Sequence, residues 1–339
     1  MKRKSVLILI LTFLIISIVV AAFLLSSIKP KYEKYNGVIQ KINSDSYKQY
    51  YPDIYKNYIV WEDFRNDNLP PSEGDVIRYT DEERNVDIYC YDLVMKKEIQ
   101  LTKNKSCQES PIIYEDKVIY LDFRFGNYSI FMYNITNNEE TLIFKGADKR
   151  LWSDIYGDNI IWTFNDCLYV KNLKTNITKL IVDENVIGPR IYKNYIVWSE
   201  RDSDNLDAYL YDIFTNKTRR LSYGNDKEVV FGVYGDKIIW TTENPNSDVF
   251  LYNITNNKTV QITFDANEQW GADISNEYIV WIENRDTDTA RGNYDIVAYG
   301  LKNSSGIVLS NTKYAYSPAV YNNEVVWESG GDIYYTEIR

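Results

Sequence analysis

The chain has 339 residues, 38 Lys and Arg against 48 Asp and Glu, a net charge of −10 at pH 7 and no histidine. Residues 1–35 are net +5, which leaves −15 on residues 36–339; such a surface repels a phosphate backbone, so nucleic acid is not an expected partner. Without imidazole there is no Ser-His-Asp or Cys-His catalysis and no metal site built on histidine, and the chain has no P-loop, dinucleotide fingerprint, CxxC or G-x-S-x-G elbow.

Residues 1–4 are a short basic start (Lys2, Arg3, Lys4), and residues 5–28 form an apolar run of 24 positions without a charge. A cleavable signal has an apolar core of only ~7–15 residues, so this run predicts an uncleaved signal anchor, one transmembrane helix. Cleavage after Ala22 is the alternative. Lys29, Lys31 and Lys34 follow the run and nearly balance the basic start; the short start still favours the N-terminus inside and the rest of the chain outside the cytoplasm. Residues 29–35 then read as a short linker.

Residues 36–339 repeat one pattern seven times. Each copy has an aliphatic run ending in an aromatic, at Trp61, Tyr120, Trp162, Trp198, Trp240, Trp281 and Trp327, spaced by 59, 42, 36, 42, 41 and 46 residues. Seven residues before each aromatic stands Ile or Val (Ile54, Ile113, Ile155, Ile191, Val233, Ile274, Val320), followed by Tyr in six copies and by Ser275 in one. These are strands A and B. Strand C is the D-I-Y-x-Y-D motif, as in DIYCYD at 87–92, DAYLYD at 207–212 and DIYYTE at 332–337, degenerate in the third copy (CLYVKN, 167–172). Strand D ends in a Q-L-T type tripeptide after an Asn/Lys-rich turn. An all-β repeat of about 40 residues predicts the blade of a β-propeller. The seventh copy stops after strand C. The segment NGVIQKIN at 36–43 supplies the missing strand in register, since Ile42 lies 12 residues before Ile54, as Leu101 does before Ile113 and Leu221 before Val233. The expectation is a seven-bladed β-propeller, the last blade closed by the N-terminal strand, which removes both free sheet edges.

This grammar resembles TolB-type propellers, most closely the β-propeller repeats of archaeal cell-surface proteins, over residues 36–339. The resemblance rests on the I-V-W run, the acid-x-Arg stretch after it (Asp63 with Arg65, Asp122 with Arg124, Glu283 with Arg285), the D-I-Y-x-Y-D strand and the Q-L-T ending. The Ser-Pro-Asp-Gly turn of bacterial TolB between strands A and B is missing. The resemblance implies the fold; propellers host many unrelated activities.

Several residues are candidates for chemistry. The repeated acid and Arg, including Glu200 with Arg201, recur across blades and read as structural bridges from the B–C loop to its neighbour. Strand A lines the channel, and Asp53, Asp154 and Asp273 occupy one slot in three copies, with Arg190 in the same slot of the fourth. Two carboxylates suffice for glycoside chemistry, although the favoured reading is that these cap strand starts and solvate the channel. Tyr50, Tyr51, Trp152, Trp270 and Tyr316 fall near the loop mouth, where aromatics stack sugars or peptides. The acidic loops Asp202-Ser203-Asp204 to Asp207 and 286–288 lack the Gly and terminal Glu of a calcium loop, so no metal and no cofactor is expected. Three cysteines, Cys90, Cys107 and Cys167, read as small buried hydrophobes, with a Cys90–Cys107 bridge left open. Eight N-x-S/T sequons, at Asn104, Asn127, Asn134, Asn176, Asn216, Asn253, Asn257 and Asn303, agree with an extracytoplasmic location.

The functional expectation is a single-pass, membrane-anchored propeller on the extracytoplasmic side, serving as a non-catalytic scaffold for a cell-envelope protein or glycan. The ligand-binding candidates are Tyr51, Trp152, Arg190, Trp270 and Tyr316. The alternative is a carbohydrate-active enzyme using Asp53, Asp154 and Asp273. The C–D turn face is expected towards the membrane. The outward face then carries the B–C and D–A loops, the aromatic mouth and the long insertion 66–86.

Overall fold

The computed structural model describes residues 32–43, 46–67, 84–147, 149–223, 226–242, 247–264, 266–285, 293–310 and 314–339. The apolar run 5–28, most of the insertion 66–86 and the acidic loop 286–288 lie outside them. Among the described residues no helix is long and apolar enough to cross a membrane.

Seven four-stranded antiparallel sheets are arranged as blades, one of them extended by a short fifth strand. In blade 1, strand A is Gln49–Tyr55, B is Tyr58–Asp63, C is Asp87–Asp92 and D is Lys97–Gln100. Strand B reads as an unbroken apolar run because both of its faces are covered. Ile59 and Trp61 pack towards blade 7 with Ala319, Val326 and Ile333, while Val60 packs towards blade 2 with Ile113, Val118 and Tyr120. Period-2 side-chain alternation thus sends successive residues into different interfaces. The same split recurs around the ring, so the core is a circle of inter-blade clusters around a channel.

The ring closes as the register predicts. Gln40–Lys41 pairs antiparallel with blade 7 strand C, Asp332–Glu337, through Gln40↔Tyr335 and Lys41↔Tyr334. The Ile42 N–H donates to Ile333 O at 2.9 Å, and Lys41 Nζ meets Asp332 at 2.9 Å. The paired strand is shorter than the eight-residue match. Part of the segment read as a linker is also a strand: Glu33–Lys34 pairs in parallel with blade 6 strand D, Ser305–Val308. No apolar pattern marks Glu33 and Lys34; what recruits them is the open row of backbone donors and acceptors on the blade edge. Tyr32 lies over Gly306, where a Cβ would stand 2.2 Å from its ring, and meets Trp281 edge-on at 6.1 Å.

The acid and Arg repeat braces strands within a blade rather than reaching the neighbouring one. The Arg65 guanidinium donates to both Asp63 oxygens at 2.8 and 2.7 Å and to Glu98 on strand D at 2.7 Å, lying 4.0 Å above the Tyr89 ring of strand C. Arg124 repeats the arrangement with Asp122, Glu140 and Phe131. Arg285 pairs with Asp295 on strand C of its own blade. The acid also accepts the indole N–H of strand B in Trp61–Asp63 (3.0 Å), Trp198–Glu200 (3.2 Å) and Trp281–Glu283 (3.2 Å). Arg201, by contrast, is exposed.

Turn chemistry accounts for two of the sequons. Asn134 Oδ1 accepts the N–H groups of Thr136 and Asn137, and Asn253 Oδ1 those of Thr255 and Asn256; Asp92 does the same for Val94 and Met95. An acceptor two residues before a tight turn is the requirement, and Asn-x-Thr meets it without glycosylation. Cys90, Cys107 and Cys167 are free. Cys90 packs in the interface between blades 1 and 2, Cys107 sits beneath Phe64 and Val86, and no bridge joins them. Burial pushes the Cys107 thiol up to about 12 and raises Cys90 as well, so both are poor nucleophiles.

The A–B turns suggest a stabilising change. In every blade but the sixth their first residue is left-handed, with φ of 61° at Gly157 and Gly235 but also 51° at Lys56, 56° at Glu115 and 54° at Lys193. A side chain in that region costs roughly 1–2 kcal/mol, against a smaller loss of unfolded-chain entropy restraint. The variant combining Lys56→Gly, Glu115→Gly and Lys193→Gly is expected to melt higher, by about 0.5–1 kcal/mol per site. Scanning calorimetry of the triple variant checks it, and a lower melting temperature would count against strain at these turns.

Candidate functional site

Strand A of every blade faces the channel, and in all blades but the third a bulge shapes its upper half. The A–B register slips between Tyr50 and Asp53, Glu109 and Ile112, Ile187 and Arg190, Val230 and Gly232, Trp270 and Asp273, and Tyr316 and Ala319. In most of these bulges one residue is left-handed: Tyr51 (50°), Ser110 (55°), Gly188 (56°), Gly271 (59°) and Ser317 (49°). A tyrosine held there is strained, and Tyr51 is 42% exposed at the channel mouth.

Below the bulge the predicted carboxylates share a structural task. Asp53 Oδ1 accepts the N–H of Ile54 at 2.9 Å, while Oδ2 accepts that of Ile113 in the next blade at 2.7 Å. Asp154 bonds Ile155 and, in the next blade, Ile191, both at 2.8 Å; Asp273 bonds Ile274 and, in the next blade, Val320, both at 2.8 Å. Each carboxylate therefore staples two blades together. Arg190 continues the series by donating from Nε to Phe231 O in blade 5 at 3.0 Å. Burial, reinforced by the like charges of Asp273 and Asp154, pushes Asp53 up to about 7. Burial pushes Asp154 up to about 6 against the pull of Arg190, and it raises Asp273 too.

The floor is a belt of tyrosines at the end of strand A. Tyr55 contacts Tyr321 and Tyr114 with centroids at 4.7 and 4.8 Å, and Tyr114–Tyr156, Tyr156–Tyr192 and Tyr192–Tyr234 follow at 4.6, 4.8 and 4.5 Å. Ser275 takes the seventh place. Its hydroxyl donates to Asn322 O at 2.6 Å instead of continuing the belt.

Between floor and mouth lies a cavity of ≈ 590 Å³ lined by the belt, the three aspartates and Arg190, with Tyr51, Arg150 and Trp152 at its rim. Trp152 is 50% exposed. Arg150 forms an ion pair with buried Glu109 (3.0 Å), donates to Ser110 Oγ (2.6 Å) and stands 5.8 Å from the Tyr51 ring. Buried Glu62 accepts the Ser110 N–H at 2.6 Å. Burial pushes Glu109 and Glu328 up to about 7 each, the first against Arg150, and it raises Tyr51 with help from the Glu62 charge.

The structure thus brings Tyr51, Trp152, Arg190, Asp53, Asp154 and Asp273 around one cavity. Trp270 and Tyr316 do not line it. They pack with Tyr294 at 5.1 and 5.2 Å against the cluster between blades 6 and 7. Tyr50 turns away to meet Phe64 edge-on. Arg150 carries no sequence signal, because it lies in a D–A loop outside the repeat; the belt was visible as the recurrent Tyr after Ile or Val. Of the acidic loop at 202–207, Asp202 and Asp204 are exposed while Asp207 is buried against Arg220 at 2.7 Å. Among the described residues no group of three or more Cys, Asp or Glu side chains is placed to hold a metal.

Blade count, closure and channel define a seven-bladed β-propeller. No protein-family model matches the sequence, and no curated protein does. Among solved structures the chain is similar to oligogalacturonate lyase from Vibrio parahaemolyticus, at 11% identity and a TM-score of 0.65 over 92% of this chain and 96% of that one. It is similar also to the acylaminoacyl peptidase of Pyrococcus horikoshii, at 10% identity and 0.64 over 86% of this chain and 52% of that one. TolB from Acinetobacter baumannii follows at 12% and 0.49, over 74% and 75%. At such identities the likeness is one of fold.

Proposed function

We propose that this protein is a membrane-anchored, extracytoplasmic binding scaffold whose mouth, built by Tyr51, Arg150 and Trp152, captures a cell-envelope protein or glycan. The observation that carries this reading is the occupancy of the channel carboxylates. Each of Asp53, Asp154 and Asp273 already accepts two backbone N–H groups, one per oxygen, which suits a rigid frame better than a group that must exchange a proton with substrate. The rim offers a strained tyrosine, a half-exposed tryptophan and a guanidinium above an open cavity, the residue types that dominate binding hot spots. Full-length protein immobilised in detergent is expected to retain a specific envelope component. Tyr51→Ala with Trp152→Ala should weaken capture by roughly tenfold or more, at about 2 kcal/mol for a lost hot spot, with little change in melting temperature. Trp270→Ala should instead lower the melt, since Trp270 packs in a core cluster. Equal capture by the double variant would place recognition elsewhere.

One observation favours a carbohydrate-active enzyme: Asp53, pushed up to about 7, has the acidity of a general acid. One structure similar in fold is described as oligogalacturonate lyase in complex with manganese. This chain has no histidine, and its described carboxylates and thiols do not gather around a metal, so no step is routed through one. Release of reducing ends or unsaturated uronides from a polysaccharide panel, abolished by Asp53→Asn, would replace the scaffold reading. The orientation is tested by protease on intact cells, which should digest residues 32–339 from outside.

A further inference from the structure

We infer that the propeller sits on the bilayer through its C–D turn face, with the turn tips of blades 1 and 4 entering the lipid interface. This rests on the reading of residues 5–28 as a membrane span. Four Cα steps separate Ile28 from Tyr32, at most about 14 Å at ~3.3–3.6 Å per residue. Tyr32 is fixed over Gly306, at the turn end of blade 6 strand D. A span ending at Ile28 therefore holds that face of the ring close to the headgroups.

The composition of the tips on that face agrees. The two-residue tips of the C–D turns are Val94-Met95 in blade 1, Thr136-Asn137, Lys174-Thr175, Phe214-Thr215 in blade 4, Thr255-Asn256 and Lys302-Asn303. Only blades 1 and 4 place large apolar side chains there, and these are among the most exposed large hydrophobics of the described residues: Val94 69%, Met95 71% and Phe214 82%. Neither tip is needed for its turn, which Asp92 and Asp212 hold by accepting N–H groups. Lysines flank both. Lys56, Lys96 and Lys97 surround the first, and Lys193 and Lys217 the second, all exposed on a propeller that is otherwise strongly acidic. The adjoining A–B turns are held to the tips by Leu93 N–H to Asn57 O and Ile213 N–H to Asn194 O, both at 2.8 Å. Apolar tips ringed by Lys are the pattern of interfacial contact with anionic lipid. The tether at blade 6 and the tips at blades 1 and 4 lie two, three and two blades apart, so three supports surround the channel axis. The seat keeps the Tyr belt down and the Tyr51–Trp152 mouth facing away from the membrane.

The test uses the full chain with Cys167→Ser, reconstituted into vesicles of phosphatidylcholine and phosphatidylglycerol. An environment-sensitive nitrobenzoxadiazole label is placed at Val94→Cys, at Phe214→Cys or, as the opposite-face control, at Tyr223→Cys, where the native residue is 78% exposed. The expected result is a blue-shifted emission at 94 and 214, quenched by doxyl lipid and shielded from iodide, with the reverse at 223. Flotation of the vesicles reports the anchor separately. Protein that floats while labels at 94 and 214 stay open to iodide overturns the lipid seat and leaves the anchor standing. Protein that fails to float overturns both. Labels shielded from iodide but untouched by doxyl lipid would assign the face to a protein or to a second copy, and the lipid seat falls.

Discussion

A chain lacking residues 332–339 is expected to aggregate or to melt far below the intact protein. The deletion removes blade 7 strand C, and with it Ile333, Thr336 and Ile338, which are 0%, 1% and 4% exposed. It also removes the partner of Gln40–Lys41 and strips Val325, Val326 and Trp327 of their cover on one edge. Both ends of the ring then present open backbone rows, the usual route to edge-to-edge association. The N-terminal strap is held there by side chains as well: Tyr35 donates to Glu337 O at 2.8 Å, and Thr336 Oγ1 donates to Val38 O at 2.7 Å. Ile42→Asp is the milder form of the same test. It puts a carboxylate into the interface of Ile54, Trp61 and Ile333. A buried unpaired charge of this kind costs about 3 kcal/mol, or roughly 5 °C in a domain of this size. Size-exclusion chromatography and calorimetry decide the matter: a monomeric deletion variant with an unshifted melt would mean that the N-terminal strand does not close the ring.

The second large effect is a loss of stability on raising pH. Asp53 (about 7), Asp154 (about 6), Glu109, Glu228 and Glu328 (each about 7) are all pushed up by burial, and Asp273 is raised for the same reason. In the unfolded chain such groups titrate near 4. Between about pH 4 and pH 7 the native state therefore binds more protons than the unfolded state, so stability falls as pH rises through that window. The groups with the opposite shift, Glu140 beside Arg124 and Asp116, Asp212 and Asp236 with their hydrogen-bond donors, lose their contribution only as pH drops below about 4. Maximum stability is expected near pH 4–5, with a melting temperature lower by on the order of 10 °C at pH 8, given about 1.6 °C per kcal/mol at ~2.1 cal/mol/K per residue. The net charge of −10 acts in the same direction. A melt that rises steadily from pH 5 to pH 8 would show that these carboxylates ionise without penalty in the channel.

The Asp53 staple divides these effects further. Asp53→Asn removes a buried charge, yet it turns an amide N–H₂ towards one of the two N–H groups that the carboxylate accepted, and a lost buried hydrogen bond costs about 1–3 kcal/mol. The variant is therefore expected to be less stable than the parent at pH 5, where Asp53 is protonated, with a smaller gap at pH 8.

Blade number, strand order and closure were legible in the sequence because each depends on a local period. The I-V-W run alternates between two interfaces in every copy, and the 12-residue interval from Ile42 to Ile54 is set by the length of a strand and its turn. A repeat also exposes its own exceptions, so Arg190 and Ser275 stand out before any fold is drawn. Only the tertiary structure decided what those positions do. Asp53, Asp154 and Asp273 read as strand caps with catalysis as the alternative, but nothing in the pattern showed that Ile113, Ile191 and Val320 of the next blades donate to them, contacts between residues 37 to 60 positions apart. Trp270 and Tyr316 share the mouth with Trp152 by sequence position, but the bulge in strand A turns them into the interface between blades 6 and 7. The pairing of Glu33–Lys34 with blade 6 and the place of Arg150 beside Tyr51 left no trace in the pattern. Backbone edges recruit strands regardless of side chain, and a loop outside the repeat has no period to betray it. The sequence determines what a repeating unit must do in every copy; the geometry of the closed ring decides what the unrepeated residues meet.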